Sequence, residues 1–183
     1  MKKVLLYACL VLALSSFSLA GLFEAKISED YHVKFSTSKA VGSFRGLSGD
    51  IVFDPNNLES SRFDMRVDVG TINTGNKKKD KHAIGKSWFK TSAFPNIRFV
   101  SSDIELVDEE YLVSGTLTIR DVSKEISFPF TVEEMDGKRV FSGKFTIDRY
   151  DYKIDGPALM GRLVGDMVDI ELKVPVDLAS SPN

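Results

Sequence analysis

The stretch that decides the fold is residues 168–176, which read VDIELKVPV. Charged residues stand at positions 169, 171 and 173, and every position between them is apolar. The apolar residues are Val168, Ile170, Leu172, Val174 and Val176. Strict alternation is typical of a β-strand with one face in water and the other in a core. Antiparallel sheets contain such strands, whereas parallel strands covered on both faces are apolar throughout.

The same period of two recurs along the chain. Residues 62–69 and 126–132 alternate as clearly as the first stretch. Weaker versions occupy residues 31–35, 43–53, 97–106, 111–119 and 140–147. Turn-forming residues separate these segments at 54–57, 107–110, 120–123 and 136–137. Eight strands with short connections predict an all-β, antiparallel up-and-down barrel of the lipocalin-like kind, and an open sandwich is the competing architecture.

One segment breaks the alternation. Residues 77–90, KKKDKHAIGKSWFK, hold six lysines, one acid and the only tryptophan of the chain. Ile84 and Trp88 are four residues apart and Phe89 follows, so the spacing predicts a short helix with one apolar face, between the third and fourth strands. We expect Asp80 to cap part of it. The helix would cover an end of the barrel, and its lysines would either attract an anionic head group or membrane surface or only keep the helix soluble.

The N-terminal residues 1–20 have the pattern of a secretory signal peptide. Lys2 and Lys3 precede a short apolar run, and cleavage is expected between Ala20 and Gly21. An uncleaved anchor is the alternative. Cys9, the only cysteine, lies in this leader, so the remaining chain would form no disulfide. The sequence thus predicts a periplasmic or secreted protein with one domain at 21–178 and a flexible tail at 179–183.

Charge and composition exclude several classes of function. Loss of the two leader lysines would change the net charge from −2 to −4, which disfavours nucleic-acid binding. The apolar run of the leader is too short to span a bilayer and no other run approaches that length, so stable membrane insertion is not expected. The sequence shows neither metal-ligand spacing nor a phosphate loop, so no metal and no cofactor are expected. The protein is predicted not to be an enzyme; the alternative is a lipid-modifying enzyme that uses His82 with Asp80.

The apolar strand positions define a candidate binding site. An eight-stranded barrel is either filled by its own side chains or holds one slender ligand, and the pattern alone leaves both open. The predicted cavity wall consists of Phe35, Phe53, Phe63, Met65, Val67, Phe99, Leu117, Phe128, Phe130 and Phe145. The predicted cavity mouth consists of His82, Ile84, Trp88 and Phe89.

Five segments, in order, resemble the YceI-like family. They are residues 42–54, 71–76, 94–99, 113–119 and 164–170. The first, GSFRGLSGDIVFD, is similar to the family's G-x-F and G-x-I-x-F-D pattern, and the fourth, VSGTLTI, to its V-x-G-x-L-T-I pattern. The chain departs from the family at residues 36–38, at Lys79 and over most of 151–165.

The resemblance implies a lipocalin-like barrel outside the cytoplasm that binds polyisoprenoids or other long-chain amphiphiles, without catalytic residues. We therefore predict a protein that sequesters or carries a long-chain isoprenoid or acyl lipid. A filled-core interaction or stress module is the alternative, and homodimer formation is left open.

Overall fold

The computed structural model describes residues 26–177. The predicted signal peptide, its cleavage site and the tail at 179–183 lie outside the described residues. The strands are β1 (His32–Ser36), β2 (Val41–Phe44), β3 (Gly46–Val52), β4 (Arg62–Asp68), β5 (Asn96–Val107), β6 (Glu110–Ile119), β7 (Val122–Met135), β8 (Lys138–Asp148) and β9 (Met167–Asp177). The helices are α1 (Lys77–Ala83) and α2 (Ala158–Gly161), with 3₁₀ turns at Leu58–Ser60, Val69–Thr71 and Arg149–Tyr152.

The strands form one antiparallel sheet with the order β2-β1-β9-β8-β7-β6-β5-β4-β3. Consecutive strands pair from β3 to β9, and β1 pairs with β9. β2 and β3 stand at opposite ends of this order although they follow each other in the chain. Residues 41–52 therefore bring the two edges together, and the predicted up-and-down barrel is confirmed as a nearly closed barrel.

The predicted count of eight strands is corrected to nine, because the strand expected at 43–53 is broken at Arg45. The backbone N–H groups of Arg45 and Gly46 both donate to Thr71 Oγ1, at 3.1 and 3.0 Å. The Leu47 N–H donates to the hydroxyl of Tyr31 at 3.1 Å. Side chains thus replace the ladder hydrogen bonds where the strand leaves β1 and joins β4.

Removing the Thr71 hydroxyl tests this account of the break. Thr71→Val keeps the shape but leaves two backbone N–H groups without their acceptor. Because water can replace the acceptor at the exposed Arg45 N–H but less readily at the partly buried Gly46 N–H, we expect the free energy of unfolding to fall by about 1–2 kcal/mol. Urea unfolding followed by the fluorescence of the single tryptophan, Trp88, measures it. Thr131→Val, at an exposed position of β7, is the control and should change stability little; an equal, small effect at both positions would contradict the account.

Antiparallel order assigns each connection to one of two ends of the barrel. The helix end comprises residues 37–40, 69–95, 120–121 and 149–166. The turn end comprises residues 26–31, 53–61, 108–109 and 136–137. Helix α1 lies at the helix end, between β4 and β5, which confirms the helix predicted between the third and fourth predicted strands. Within residues 26–177, neither helix has the length and apolarity that a membrane span requires.

The cap of α1 differs from the expected one. Asn76 is the N-cap, and its Oδ1 accepts hydrogen bonds from the N–H groups of Lys78 and Lys79 at 3.0 and 3.2 Å. Asp80 instead accepts from the backbone N–H and the hydroxyl of Thr74, at 2.8 and 2.7 Å. The predicted capping by Asp80 is therefore wrong, because Asn76 stands just before the first turn, where a cap accepts the free N–H groups.

Candidate functional site: an apolar cavity inside the barrel

The interior of the barrel contains a cavity of about 160 Å³. Every strand from β1 to β9 contributes to its wall, because each turns alternate side chains inward. The lining residues are Val33, Phe44, Leu47, Ile51, Phe63, Met65, Val67, Ile97, Phe99, Leu117, Ile119, Phe128, Phe130, Phe141, Ser142, Gly143, Phe145, Ile147, Ile170, Leu172 and Val174. Ser142 is the only one of these with a polar side chain. The cavity therefore offers contacts to hydrocarbon and almost none to a polar group.

Eight of the ten residues predicted to form the wall line this cavity. They are Phe63, Met65, Val67, Phe99, Leu117, Phe128, Phe130 and Phe145. Phe35 and Phe53 are not among the lining residues. The Phe35 ring occupies the space beside Gly42, where an added Cβ would lie 2.4 Å from its Cζ atom. Whether the eight residues bind a ligand stays a prediction.

The sequence patterns missed two lining residues for a structural reason. Phe44 and Leu47 both face the cavity although they are three residues apart. Before the break at Arg45 the even-numbered residues face the cavity, and after it the odd-numbered residues do. A strict alternation along the whole segment therefore cannot identify both residues. Other lining residues, such as Ile170, Leu172 and Val174, stood on the apolar face of the stretch at 168–176, and the same alternation would have identified them.

An aromatic cluster closes the cavity at the turn end. Phe53 follows β3, and its ring meets three others edge-on: Tyr111 at 5.1 Å, Phe141 at 5.4 Å and Phe130 at 5.9 Å between centroids. Phe63 lies 5.5 Å from Phe130 and 5.7 Å from Phe141. Edge-to-face contacts at these separations are favourable beyond the burial of apolar area. The cluster therefore forms a packed floor.

Two aromatic contacts narrow the middle of the cavity. The rings of Phe128 on β7 and Phe145 on β8 stack with centroids 4.5 Å apart. Phe99 on β5 lies 5.5 Å from Phe128. The three rings take up volume that a barrel of this size would otherwise leave empty. The cavity is consequently narrow at these rings although its lining extends from Phe63 near the turn end to Phe44 near the helix end, and we call it the shaft.

The segment after α1 covers the helix end. Phe89 meets Phe44 edge-on at 6.3 Å, and Ile84 packs on the same apolar cluster. Trp88 packs against a second cluster that contains Tyr152 and Ile154. These three predicted mouth residues lie at one end of the barrel, above the lining residues. The fourth, His82, is exposed, and none of the four is itself a lining residue.

Tyr152 is a buried tyrosine at the helix end of the barrel. Tyr152 is 2% exposed and packs with Leu117, Ile119 and Ile154. Burial raises the pKa of its phenol, and the nearby Asp151 carboxylate adds to the effect. Burial thus disfavours the charged form of the phenol. The helix end of the shaft therefore presents no buried charge from this residue.

Arg149 organises the loop at 149–166. Its guanidinium is buried, and it donates to the backbone oxygens of Ile154, Asp155, Gly161 and Gly165. It also donates to the Tyr150 hydroxyl at 2.7 Å and reaches an Asp166 carboxylate oxygen at 3.4 Å. Its centre lies 5.8 Å from the Trp88 ring, which joins this loop to the segment after α1. This role of Arg149 is not apparent from the sequence.

The two groups of the enzymatic alternative are not brought to the cavity. Asp80 is held by Thr74, as described above, and His82 is exposed two residues later in α1. Within the described part of the chain, no cluster of three or more His, Cys, Asp or Glu side chains is placed to hold a metal ion. The geometry thus gives the pair no apolar substrate site to act on.

Comparison with known proteins agrees with this geometry. Residues 23–176 match the family model described as a YceI-like domain. A UPF0312 protein of Photorhabdus laumondii is 28% identical over 127 residues, which cover 63% of this chain and 65% of that protein. A UPF0312 protein of Yersinia pestis is 29% identical over 86 residues, which cover 47% of this chain and 45% of that protein. The chain is thus matched to between about half and two thirds of the length of these curated relatives.

Solved structures show the same barrel. Burkholderia cenocepacia BcnA superposes with a TM-score of 0.74 at 25% identity, over 79% of this chain and 95% of that one. A Campylobacter jejuni YceI protein superposes with a TM-score of 0.67 at 27% identity, over 79% and 88%. A polyisoprenoid-binding domain of Saccharophagus degradans shares the fold, with a TM-score of 0.67 at 17% identity over 85% and 99%. The resemblance seen in five segments of the sequence is confirmed: the chain belongs to the YceI-like family.

Proposed function

We propose that this protein binds one long-chain isoprenoid or acyl lipid in the barrel and carries it outside the cytoplasm. The observation that carries the proposal is the shaft itself, which runs between the aromatic floor and the helix end and is lined by apolar side chains. Burying each methylene there contributes about 0.8 kcal/mol, so a long chain needs no polar contact to bind tightly. The proposed ligand class follows from the composition of this wall, because apolar side chains bind hydrocarbon and offer almost no partner to a polar group.

The size of the shaft sets a condition on binding. A cavity of about 150 Å³ accommodates a molecule the size of benzene, and the shaft measures about 160 Å³. A longer chain must therefore part the rings that meet across the interior, above all Phe128 and Phe145. Rings held only by apolar contacts can move without breaking hydrogen bonds. We propose that the chain enters at the helix end, between Phe44 and Phe89, because the floor at the turn end is more densely packed.

Two further observations support the proposal. The Saccharophagus domain with the same fold is named for polyisoprenoid binding, and extending that ligand class to this chain is consistent with its apolar wall. The leader-like pattern at residues 1–20 supports export to the periplasm or the medium. Binding without chemistry also agrees with the geometry of Asp80 and His82.

Solvent extraction of the purified protein tests the proposal. The extract is analysed by mass spectrometry, and the protein is then offered polyprenols and fatty acids of graded length. We expect a lipid with a long hydrocarbon chain in the extract, or uptake of one chain per protein. A protein that contains no lipid and takes up none would overturn the proposal.

A filled-core interaction module is the second candidate. The packed floor and the stacked pair of Phe128 and Phe145 favour it, because they leave the interior only a narrow space. In that case the extraction would yield no lipid, and adding polyprenol would leave the melting temperature unchanged. A bound ligand would instead raise the melting temperature by stabilising the folded state.

A further inference from the structure

The two ends of the barrel carry opposite charge. The helix end, as defined above, contains eleven lysines and arginines and five aspartates. The turn end contains one lysine and seven acids. The formal net charge is +6 at the helix end and −6 at the turn end, although the net charge of the whole chain is only −2. A molecule of this kind orients itself in the field of a charged surface.

The basic end also exposes apolar side chains. Leu159 is 77% exposed and Leu163 is 59% exposed in the loop at 149–166. Val41 and Met167, the first residues of β2 and β9, are 67% and 54% exposed at the same end. Exposed apolar side chains also occur near the turn end, so the helix end is distinguished by the combination of exposed apolar side chains with positive charge.

The charged and apolar parts of this end are joined. The Gly156 N–H donates to the Ser87 backbone oxygen at 3.0 Å, and Gly156 lies directly against the Trp88 ring. Gly156 has a φ of +70° and no room for a Cβ, so this close approach needs glycine. Arg149 fixes the rest of the loop, as described above. The segment that follows α1 is therefore held against the loop that carries the exposed leucines.

We propose that the helix end docks reversibly on an anionic lipid bilayer. The lysines would lie among the head groups, and Leu159 and Leu163 would enter the boundary of the acyl chains. The acidic turn end would point away from the membrane. A bilayer fits this surface better than an acidic protein does, because it accepts mobile lysines and isolated leucines without a shaped partner. The proposed entry between Phe44 and Phe89 lies at this same end, so docking would bring it to the membrane for transfer of the lipid. This last step rests on the proposed function.

Vesicle co-sedimentation tests the docking. The protein is mixed with vesicles of phosphatidylglycerol and phosphatidylcholine in equal parts, and separately with vesicles of phosphatidylcholine alone. We expect binding to the anionic vesicles, little binding to the neutral ones, and weakening as salt is raised. The triple variant Lys77→Gln, Lys78→Gln, Lys81→Gln should bind about a hundredfold more weakly, since each lysine near an anionic leaflet contributes roughly fivefold. Glutamine keeps the helix, because its helix propensity is close to that of lysine.

Matched variants separate docking from a general charge effect. Lys34→Gln, Lys144→Gln, Lys173→Gln removes the same charge from the side wall of the barrel and should bind nearly as the wild type does. Leu159→Gln with Leu163→Gln should weaken binding about tenfold, whereas Leu106→Gln with Met135→Gln, at the turn end, should not.

Three outcomes would overturn the docking proposal. They are a wild-type protein that ignores anionic vesicles, equal losses for the end and wall lysines, and leucine variants that bind normally. The last outcome would indicate a surface for acidic macromolecules instead. Lipid content measured by extraction is independent of all three, so failure of docking and failure of cargo binding can be told apart.

Discussion

Replacing Arg149 with alanine is expected to lower the free energy of unfolding by about 3–5 kcal/mol. The substitution removes a buried guanidinium and leaves four backbone oxygens of the loop at 149–166 without their donor. Loss of the contact with Trp88 should also change the emission of this single tryptophan in the folded state. Urea unfolding followed by tryptophan fluorescence and by circular dichroism measures both effects.

Two variants control this experiment. Arg62→Ala removes an exposed arginine at the start of β4 and should change stability by less than about 0.5 kcal/mol. Arg149→Lys keeps the charge but cannot reproduce the fork of donors, so it should lie between the wild type and Arg149→Ala. If Arg149→Ala unfolded at the same urea concentration as Arg62→Ala, the guanidinium would not hold the loop together.

The walls of the barrel could be predicted from the sequence because alternation reports directly which face of a strand is buried. Residues 168–176 belong to Met167–Asp177, and residues 62–69 nearly coincide with Arg62–Asp68. The break at Arg45 could not be predicted in the same way. It depends on Thr71 and Tyr31, which are 26 and 16 residues away from the backbone groups that they bind.

The site could likewise be predicted where it lies on regular strands, but not where it lies on turns and loops. Inward phenylalanines such as Phe63 and Phe128 were identified by their position in an alternating strand. Phe53 was placed on the wall, yet it lies beyond the end of β3 and forms the floor. The role of Arg149 could not be predicted, because its partners are backbone oxygens of an irregular loop. The position of such oxygens does not follow from any pattern of side chains in the sequence.

Blocking the shaft is expected to weaken lipid binding roughly fiftyfold with little change in the surface of the protein. Gly143 on β8 lines the cavity, and a Cβ added there would lie 3.3 Å from the Pro129 oxygen and 3.4 Å from the Phe128 ring. Gly143→Leu therefore places its remaining carbons in the shaft. Excluding about three methylenes of a ligand costs about 2.4 kcal/mol, or roughly fiftyfold in Kd. Uptake of a polyprenol, measured by native mass spectrometry, gives the result.

Gly143→Ala is the matched control, since it adds the Cβ and leaves the shaft nearly open. We expect its affinity to stay within about threefold of that of the wild type. Val67→Phe, higher in the shaft, is a second block that does not depend on the fit at position 143. Urea unfolding of each variant shows that it is folded, with an overpacking cost of about 1–3 kcal/mol at most. Folded blocking variants that take up polyprenol as well as the wild type does would place the ligand elsewhere.

A crystal structure of the protein with a bound polyprenol tests the central claim most directly. The account predicts continuous ligand density inside the barrel, from the gap between Phe44 and Phe89 down toward Phe63, with Phe128 and Phe145 moved apart. Ligand density confined to the outer surface, with those two rings still stacked as they are here, would contradict it.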